Sequence, residues 1–120
     1  MKLLQIIQPD FSFTDARGTL AQLAHENVAQ VNAVFTKKGA VRGNLHYHKQ
    51  TKESFYILSG KVRVIVSDGD AREEYVFSSG DAFRIPENVR HTFEYLEDTT
   101  LVTLYSARVE LPDGTKDIYT

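Results

Sequence analysis

The chain has 120 residues, a length that suits one domain with a small core. Hydrophobic residues make up 42% and charged residues 25%, an ordinary globular balance, and the formal net charge of −2 comes from both signs mixed along the chain. That balance offers no basic stripe for nucleic acid and no basic amphipathic segment for a membrane surface, while the lack of cysteine excludes disulfides, thiolate ligands and finger-type zinc.

The first nine residues are too short and too interrupted by glutamine for a signal peptide, and no apolar run is long enough to cross a bilayer, so a cytoplasmic location is expected. Residues 3–8 suit a first strand, stopped by Pro9-Asp10. Asp15-Ala16-Arg17-Gly18 is a turn. Residues 19–25 and 29–36 are β-compatible, although 20–24 would also fit a helical turn, and Lys37-Lys38-Gly39 ends the second run. Residues 45–49 form a histidine-bearing strand, followed by a polar loop, Gln50-Thr51-Lys52. Residues 54–59 are aromatic and apolar and end at Gly60. Residues 61–67 alternate, with Val62, Val64 and Val66 on one face. Asp68-Gly69-Asp70 signals a hairpin, from which residues 72–78 return. Residues 82–85, 91–95 and 99–107 are the remaining strands, separated by Gly80 and Pro86-Glu87-Asn88 turns. Leu111-Pro112-Asp113-Gly114 leads into a short tail with Ile118 and Tyr119. No segment has a long helical period. About nine to eleven short strands at this spacing predict a sandwich or barrel.

Three of the four histidines and one glutamate lie at spacings that suit one metal: His46-Tyr47-His48, Glu53 and His91. Histidines two apart on a strand share a face. Glu53 follows a short loop and can fold back beside them, and His91 arrives from a strand distant in sequence. Imidazole nitrogens with one carboxylate suit Fe, Mn, Ni, Co, Cu or Zn, so one divalent transition metal is the expected cofactor. A lone His-x-His pair on a strand is usually solvent-facing; Glu53 and His91 set this arrangement apart.

The punctuation around these residues carries a family pattern. One block runs His46-x-His48, four residues, Glu53, six residues, Gly60; the other runs Gly80, five residues, Pro86, four residues, His91. These blocks resemble the two signature motifs of the cupin superfamily. Gly39 stands one position early, Asn88 replaces a usual glycine and Tyr95 a usual asparagine, but no ligand position is lost. The resemblance implies an all-β fold, a single small cupin domain over residues 1–120: a double-stranded β-helix, or jelly-roll, barrel. His46, His48, Glu53 and His91 would be the metal ligands at its mouth. It also implies a homodimer, since small cupins pair edge strands between subunits.

A second resemblance bears on substrate. Asp15-Ala16-Arg17-Gly18 is similar to the "Asp-x-Arg-Gly" entry of cupins acting on nucleotide-linked sugars. Arg42-Gly43…His46-Tyr47-His48-Lys49 is similar to segments of the dTDP-4-dehydrorhamnose 3,5-epimerases and of the 3,4-ketoisomerases, with Asn44 as an insertion. Those epimerases need no metal. The resemblance implies proton abstraction next to a ketone, with His46 as base and His48 beside it. Tyr47 and Tyr105 are the candidate acids, Tyr105 doubling as a substrate contact, and Arg42 would meet diphosphate or enolate charge. The expected partner is a small carbohydrate. The alternatives are a metal-dependent dioxygenase or other small-molecule metalloenzyme, and a non-catalytic sugar- or metabolite-binding module. Phe55, Tyr56, Phe77, Phe83 and Phe93 read as core or pocket wall, Arg63 and Arg84 as exposed strand faces, and His25 as a surface residue.

Overall fold

A computed structural model describes residues 2–120, and Met1 lies outside them. The strands are β1 (Gln5–Ile7), β2 (Phe11–Asp15), β3 (Gly18–Gln22), β4 (Gln30–Thr36), β5 (Val41–His46), β6 (Glu53–Ser59), β7 (Lys61–Ser67), β8 (Arg72–Ser78), β9 (Ala82–Ile85), β10 (Arg90–Tyr95) and β11 (Thr99–Tyr105). Five form one antiparallel sheet in the order β1-β9-β6-β11-β4, and four form a second in the order β5-β10-β7-β8. The fold is all-β, as expected. Among the described residues no helix is long and apolar enough to cross a membrane.

Period-2 alternation explains why the sheets pack face to face. Val62, Val64 and Val66 of β7 and Phe93 and Tyr95 of β10 point inward from the four-stranded sheet. Phe55, Ile57, Phe83, Ile85 and Leu101 meet them from the five-stranded sheet in one core cluster. Phe77 and Phe83 stack with ring centroids 4.1 Å apart, as do Phe55 and Phe83 at 4.8 Å. Tyr56, expected with the inward aromatics, is half-buried on the opposite face, because it alternates with Phe55 and Ile57.

Three local differences from the expected elements matter. Residues 11–15 form a strand that pairs with β3 across the expected Ala16-Arg17 turn, and this arm is exposed along nearly its whole length. Among the described residues it has no further sheet neighbour, which accords with a long axis of 46 Å against 31 and 30 Å. Residues 20–22 are strand, not helix. The histidine strand begins and ends earlier than the expected 45–49: β5 closes at His46, and Tyr47 makes only an isolated bridge to Tyr119. Its cause is a run of left-handed residues, Gly43, Asn44 and Leu45, with φ of 103°, 75° and 57°.

Candidate active site

β10 is the strand on which the site is hung. It pairs with β7 in unbroken register on one side and with β5 on the other, where His91 lies opposite His46 and Phe93 opposite Arg42. Two steps along β10 (91 to 93) therefore match four along β5 (42 to 46), and the two surplus residues sit in the left-handed run. The Asn44 insertion is absorbed there, and His46 arrives directly across from His91. Gly43 is required for this approach: a Cβ on it would lie 2.7 Å from the His91 carbonyl oxygen.

The other two groups come from the facing side. Glu53 opens β6 and is buried; His48 lies in the loop before it, also buried. One ring nitrogen from each of His46, His48 and His91 falls within 4.8 Å of the others. Glu53 Oε1 is 3.1 Å from His48 Nε2 and 3.6 Å from His91 Nε2. The four predicted ligands are thus brought together, but Glu53 makes its contacts with His48 and His91 alone among the three.

Hydrogen bonding sets the tautomers. His48 Nδ1 donates to the Asp117 carbonyl oxygen at 2.6 Å, and His91 Nδ1 to that of Val89 at 3.3 Å. A carbonyl oxygen only accepts, so both Nδ1 atoms carry hydrogen, and a neutral ring keeps its lone pair on Nε2. Both lone pairs then face the same Glu53 oxygen, so a positive charge belongs between them. A divalent transition metal fits this donor set: His46, His48 and His91 would hold it through one ring nitrogen each, with Glu53 beside them in contact with His48 and His91.

The same surroundings shift the imidazoles apart. Burial pushes His91 down to about 4, only partly opposed by the Glu53 charge. Burial and then the neighbouring His48 pull His46 below its ordinary value. Burial also opposes a charge on His48, but its bonds to Glu53 and to the Asp117 carbonyl outweigh that and raise it. Because folded His91 resists the proton that unfolded His91 accepts, metal-free protein is expected to lose stability as pH falls from 6.5 to about 4. The shift corresponds to about 3 kcal/mol. His48 has the opposite sign: its contribution is present at lower pH and lost as pH rises through its raised value. Urea midpoints across this range check the prediction, and a His91→Gln variant should show a shallower acid slope, with the smaller share of His46 remaining.

His46, Glu53 and His91 line a cavity of about 180 Å³ between the sheets, and His48 lies behind them, outside its lining. Arg42 and Tyr105, the predicted substrate contacts, both line it. Arg42 stands exposed at the rim and donates from Nε to Thr36 Oγ1 at 2.8 Å. Burial and then the Glu53 charge push the Tyr105 hydroxyl well above its ordinary range, so it keeps its proton. Tyr47, a predicted acid, is placed away from the lining: its ring packs on Tyr119 at 5.6 Å and under the Arg90 guanidinium at 4.8 Å.

Two residues escaped the sequence reading. Thr103 is buried on the cavity wall, and its hydroxyl stands near Tyr105 without making a hydrogen bond among the described residues. Its inward parity with Leu101 and Tyr105 was a usable signal. Asp117 contacts His48 across a separation of 69 residues, which no local pattern foretells. A larger cleft, about 470 Å³, lies around residues 7–10 and 23–28; none of the clustered histidines lines it.

The family model described as "Cupin domain" matches residues 34–106, more than half the chain. The chain belongs to the cupin family. Both motif blocks lie inside the matched span, and Asn88, where a cupin usually has glycine, adopts the left-handed φ of 66°. This cupin is 32% identical to quercetin 2,3-dioxygenase of Aspergillus japonicus over 75 residues, 62% of the chain and 20% of the relative. It is 40% identical to oxalate decarboxylase OxdC of Bacillus subtilis (strain 168) over 73 residues, 59% of the chain and 18% of the relative. The matches thus take in about a fifth of each relative's length. In fold, this cupin is similar to WlaRB TDP-quinovose 3,4-ketoisomerase of Campylobacter jejuni. The TM-score is 0.80 at 22% identity, covering 98% of this chain and 94% of that one. That likeness shows a shared β architecture.

Proposed function

We propose that this cupin is a metal-binding isomerase or epimerase of a carbohydrate, specifically a nucleotide-linked keto-sugar, acting by proton abstraction next to a carbonyl as a cytoplasmic homodimer. The observation that carries the reading is His46: a cavity-lining imidazole kept below its ordinary pKa, beside the Glu53 cluster but outside its ion-pair contacts. A neutral ring there accepts a substrate proton. A bound divalent ion would supply Lewis-acid stabilisation of the carbonyl or enolate oxygen. Tyr105 holds a proton close by, and Arg42 at the rim suits a diphosphate. A cavity of about 180 Å³ suits a sugar ring, with a nucleotide left at the rim. The fold shared with a TDP-quinovose 3,4-ketoisomerase supports the substrate class.

The test is exchange of a substrate C–H proton with deuterated solvent across a panel of nucleotide-linked keto-sugars, with metal content measured in parallel. Exchange supports the reading; no exchange with any member overturns it. A second reading, a metal-dependent dioxygenase or other small-molecule metalloenzyme, is favoured by the lone pairs of His48 and His91 meeting at Glu53. Oxygen uptake by the iron-loaded protein would move it ahead. Tight sugar binding without turnover would instead mark a binding module.

We assign the Thr103 hydroxyl, buried beside Tyr105 on the cavity wall, to a substrate hydroxyl. Thr103→Val is expected to leave stability unchanged or slightly raised, because it removes a buried unsatisfied group. KM should rise by about five- to tenfold with kcat little changed, the loss of one neutral hydrogen bond. Steady-state kinetics beside a thermal melt check both halves.

The dimer rests on the outer face of the five-stranded sheet. Val31 and Phe35 of β4 are 60% and 71% exposed, and they lie opposite Leu104 and Thr100 of β11. Leu58 of β6 adds a further exposed apolar residue to this sheet. A second copy covering this face and the free edge of β4 removes both liabilities. Sedimentation should give a dimer, and Phe35→Asp should shift it toward monomer.

A further inference from the structure

The segment after β11 runs back to the site from outside the family-matched span of residues 34–106. Asp117 is fully buried. Its Oδ1 accepts the Lys49 backbone N–H and its Oδ2 that of Gln50, each at 2.9 Å. Its own N–H donates to the Val109 carbonyl oxygen at 2.8 Å. Two residues on, Tyr119 and Tyr47 exchange both backbone hydrogen bonds at 2.9 Å, and Lys49 Nζ sits 4.3 Å above the Tyr119 ring. The stretch from Tyr47 to Gln50 is therefore gripped on both sides of His48 by one short piece of tail.

We infer that this C-terminal segment is a clasp for the metal centre and that Asp117 is a positioning residue. By holding residues 49 and 50 it fixes its own carbonyl against His48 Nδ1, and so keeps the Nε2 lone pair of His48 turned to Glu53. The geometry requires this division of labour. The carbonyl that selects the tautomer belongs to a segment outside the named strands, and the buried carboxylate anchors it to residues 49 and 50 beside the Tyr47–Tyr119 bridge. Either ring nitrogen of a free histidine can carry the proton; here the backbone of the tail removes that choice. Outer partners of this kind orient a ligand without touching the ion, and their loss weakens metal binding by about 10- to 100-fold.

The inference rests on His48 as a ligand nitrogen, and the experiment separates the two ideas. Metal-free protein carrying nitrogen-15 histidine is followed by NMR, and Co²⁺ binding is titrated separately. Wild type should show a slowly exchanging His48 Nδ1–H proton. In Asp117→Ala that proton should exchange rapidly, and the Co²⁺ Kd should rise by about 10- to 100-fold while unfolding stays cooperative. Asp117→Asn keeps one acceptor oxygen and should shift both readouts less; it decides the matter if the alanine variant does not fold. A folded variant with wild-type Nδ1–H protection and wild-type Co²⁺ affinity overturns the clasp. If wild type itself binds no Co²⁺, the metal reading fails on its own terms, and Nδ1–H protection alone decides the clasp.

Discussion

Replacing His46 with asparagine is expected to slow substrate proton exchange by about a thousandfold, within the usual range for removing a general base. Metal content should fall far less than in His48→Ala. The expectation follows from an asymmetry in the cluster. Glu53 Oε1 contacts His48 and His91 at 3.1 and 3.6 Å, so those three retain a donor set when His46 is lost. His48→Ala, by contrast, strips Glu53 of its closest partner in the buried site and should empty it of metal. Elemental analysis beside deuterium exchange separates the roles. Exchange lost with metal kept identifies a base. Metal and exchange lost together in His46→Asn would make His46 chiefly a ligand and transfer the base role elsewhere.

Gly43→Ala is expected to be the most damaging single methyl group in the molecule's active-site region. The new Cβ would meet the His91 carbonyl oxygen at 2.7 Å and Thr92 Cα at 3.2 Å, both backbone atoms that cannot rotate away. The residue also holds φ of +103°, which L side chains rarely adopt. A loss of about 3 kcal/mol or more is expected from strain and clash combined. Gly80→Ala is the control. It has a similar φ of +91° but nothing within 4 Å of its Cβ, so it carries the backbone strain alone. Urea denaturation should find Gly43→Ala clearly the less stable of the two. Residual activity at a temperature where both are folded should also be lower, because the strand pushed aside carries His91. Equal effects would mean that the close approach of β5 to β10 contributes nothing.

Much of this was legible from residue order, for identifiable reasons. The bounds of β7, β8 and β9 were read correctly because alternating valines and hairpin signals at Asp68-Gly69-Asp70 leave little choice of register. The four candidate ligands stand out in the sequence because cupin punctuation keeps Gly60, Gly80 and Pro86 at fixed distances from them. The placement of β5 differs from the expected one because Leu45 carries no signal for the left-handed backbone it adopts, while Gly43 and Asn44, which tolerate it, lie inside the strand and not ahead of it. Tyr47 was retained as a candidate acid although its own neighbours argue otherwise. His46 and His48 both turn toward Glu53 and His91, and the residue between them points the other way, where its ring meets Tyr119 and Arg90. Asp117 and Thr103 belong to another class. Alternation along β11 marks Thr103 as inward but not as buried beside Tyr105, and the partners of Asp117 lie far along the chain, which no local sequence records.

The left-handed run before His46 has a consequence for how this chain tolerates changes of length. Its surplus over β10 is two residues, an even number, so Arg42 and His46 keep the same face of the sheet on either side of it. Deleting Asn44 alone would leave an odd surplus and turn His46 away from His91. Deleting Asn44 and Leu45 together would restore flat pairing with His46 still facing inward. The number of residues between Arg42 and His46, more than the identity of any one of them, therefore sets which way His46 faces.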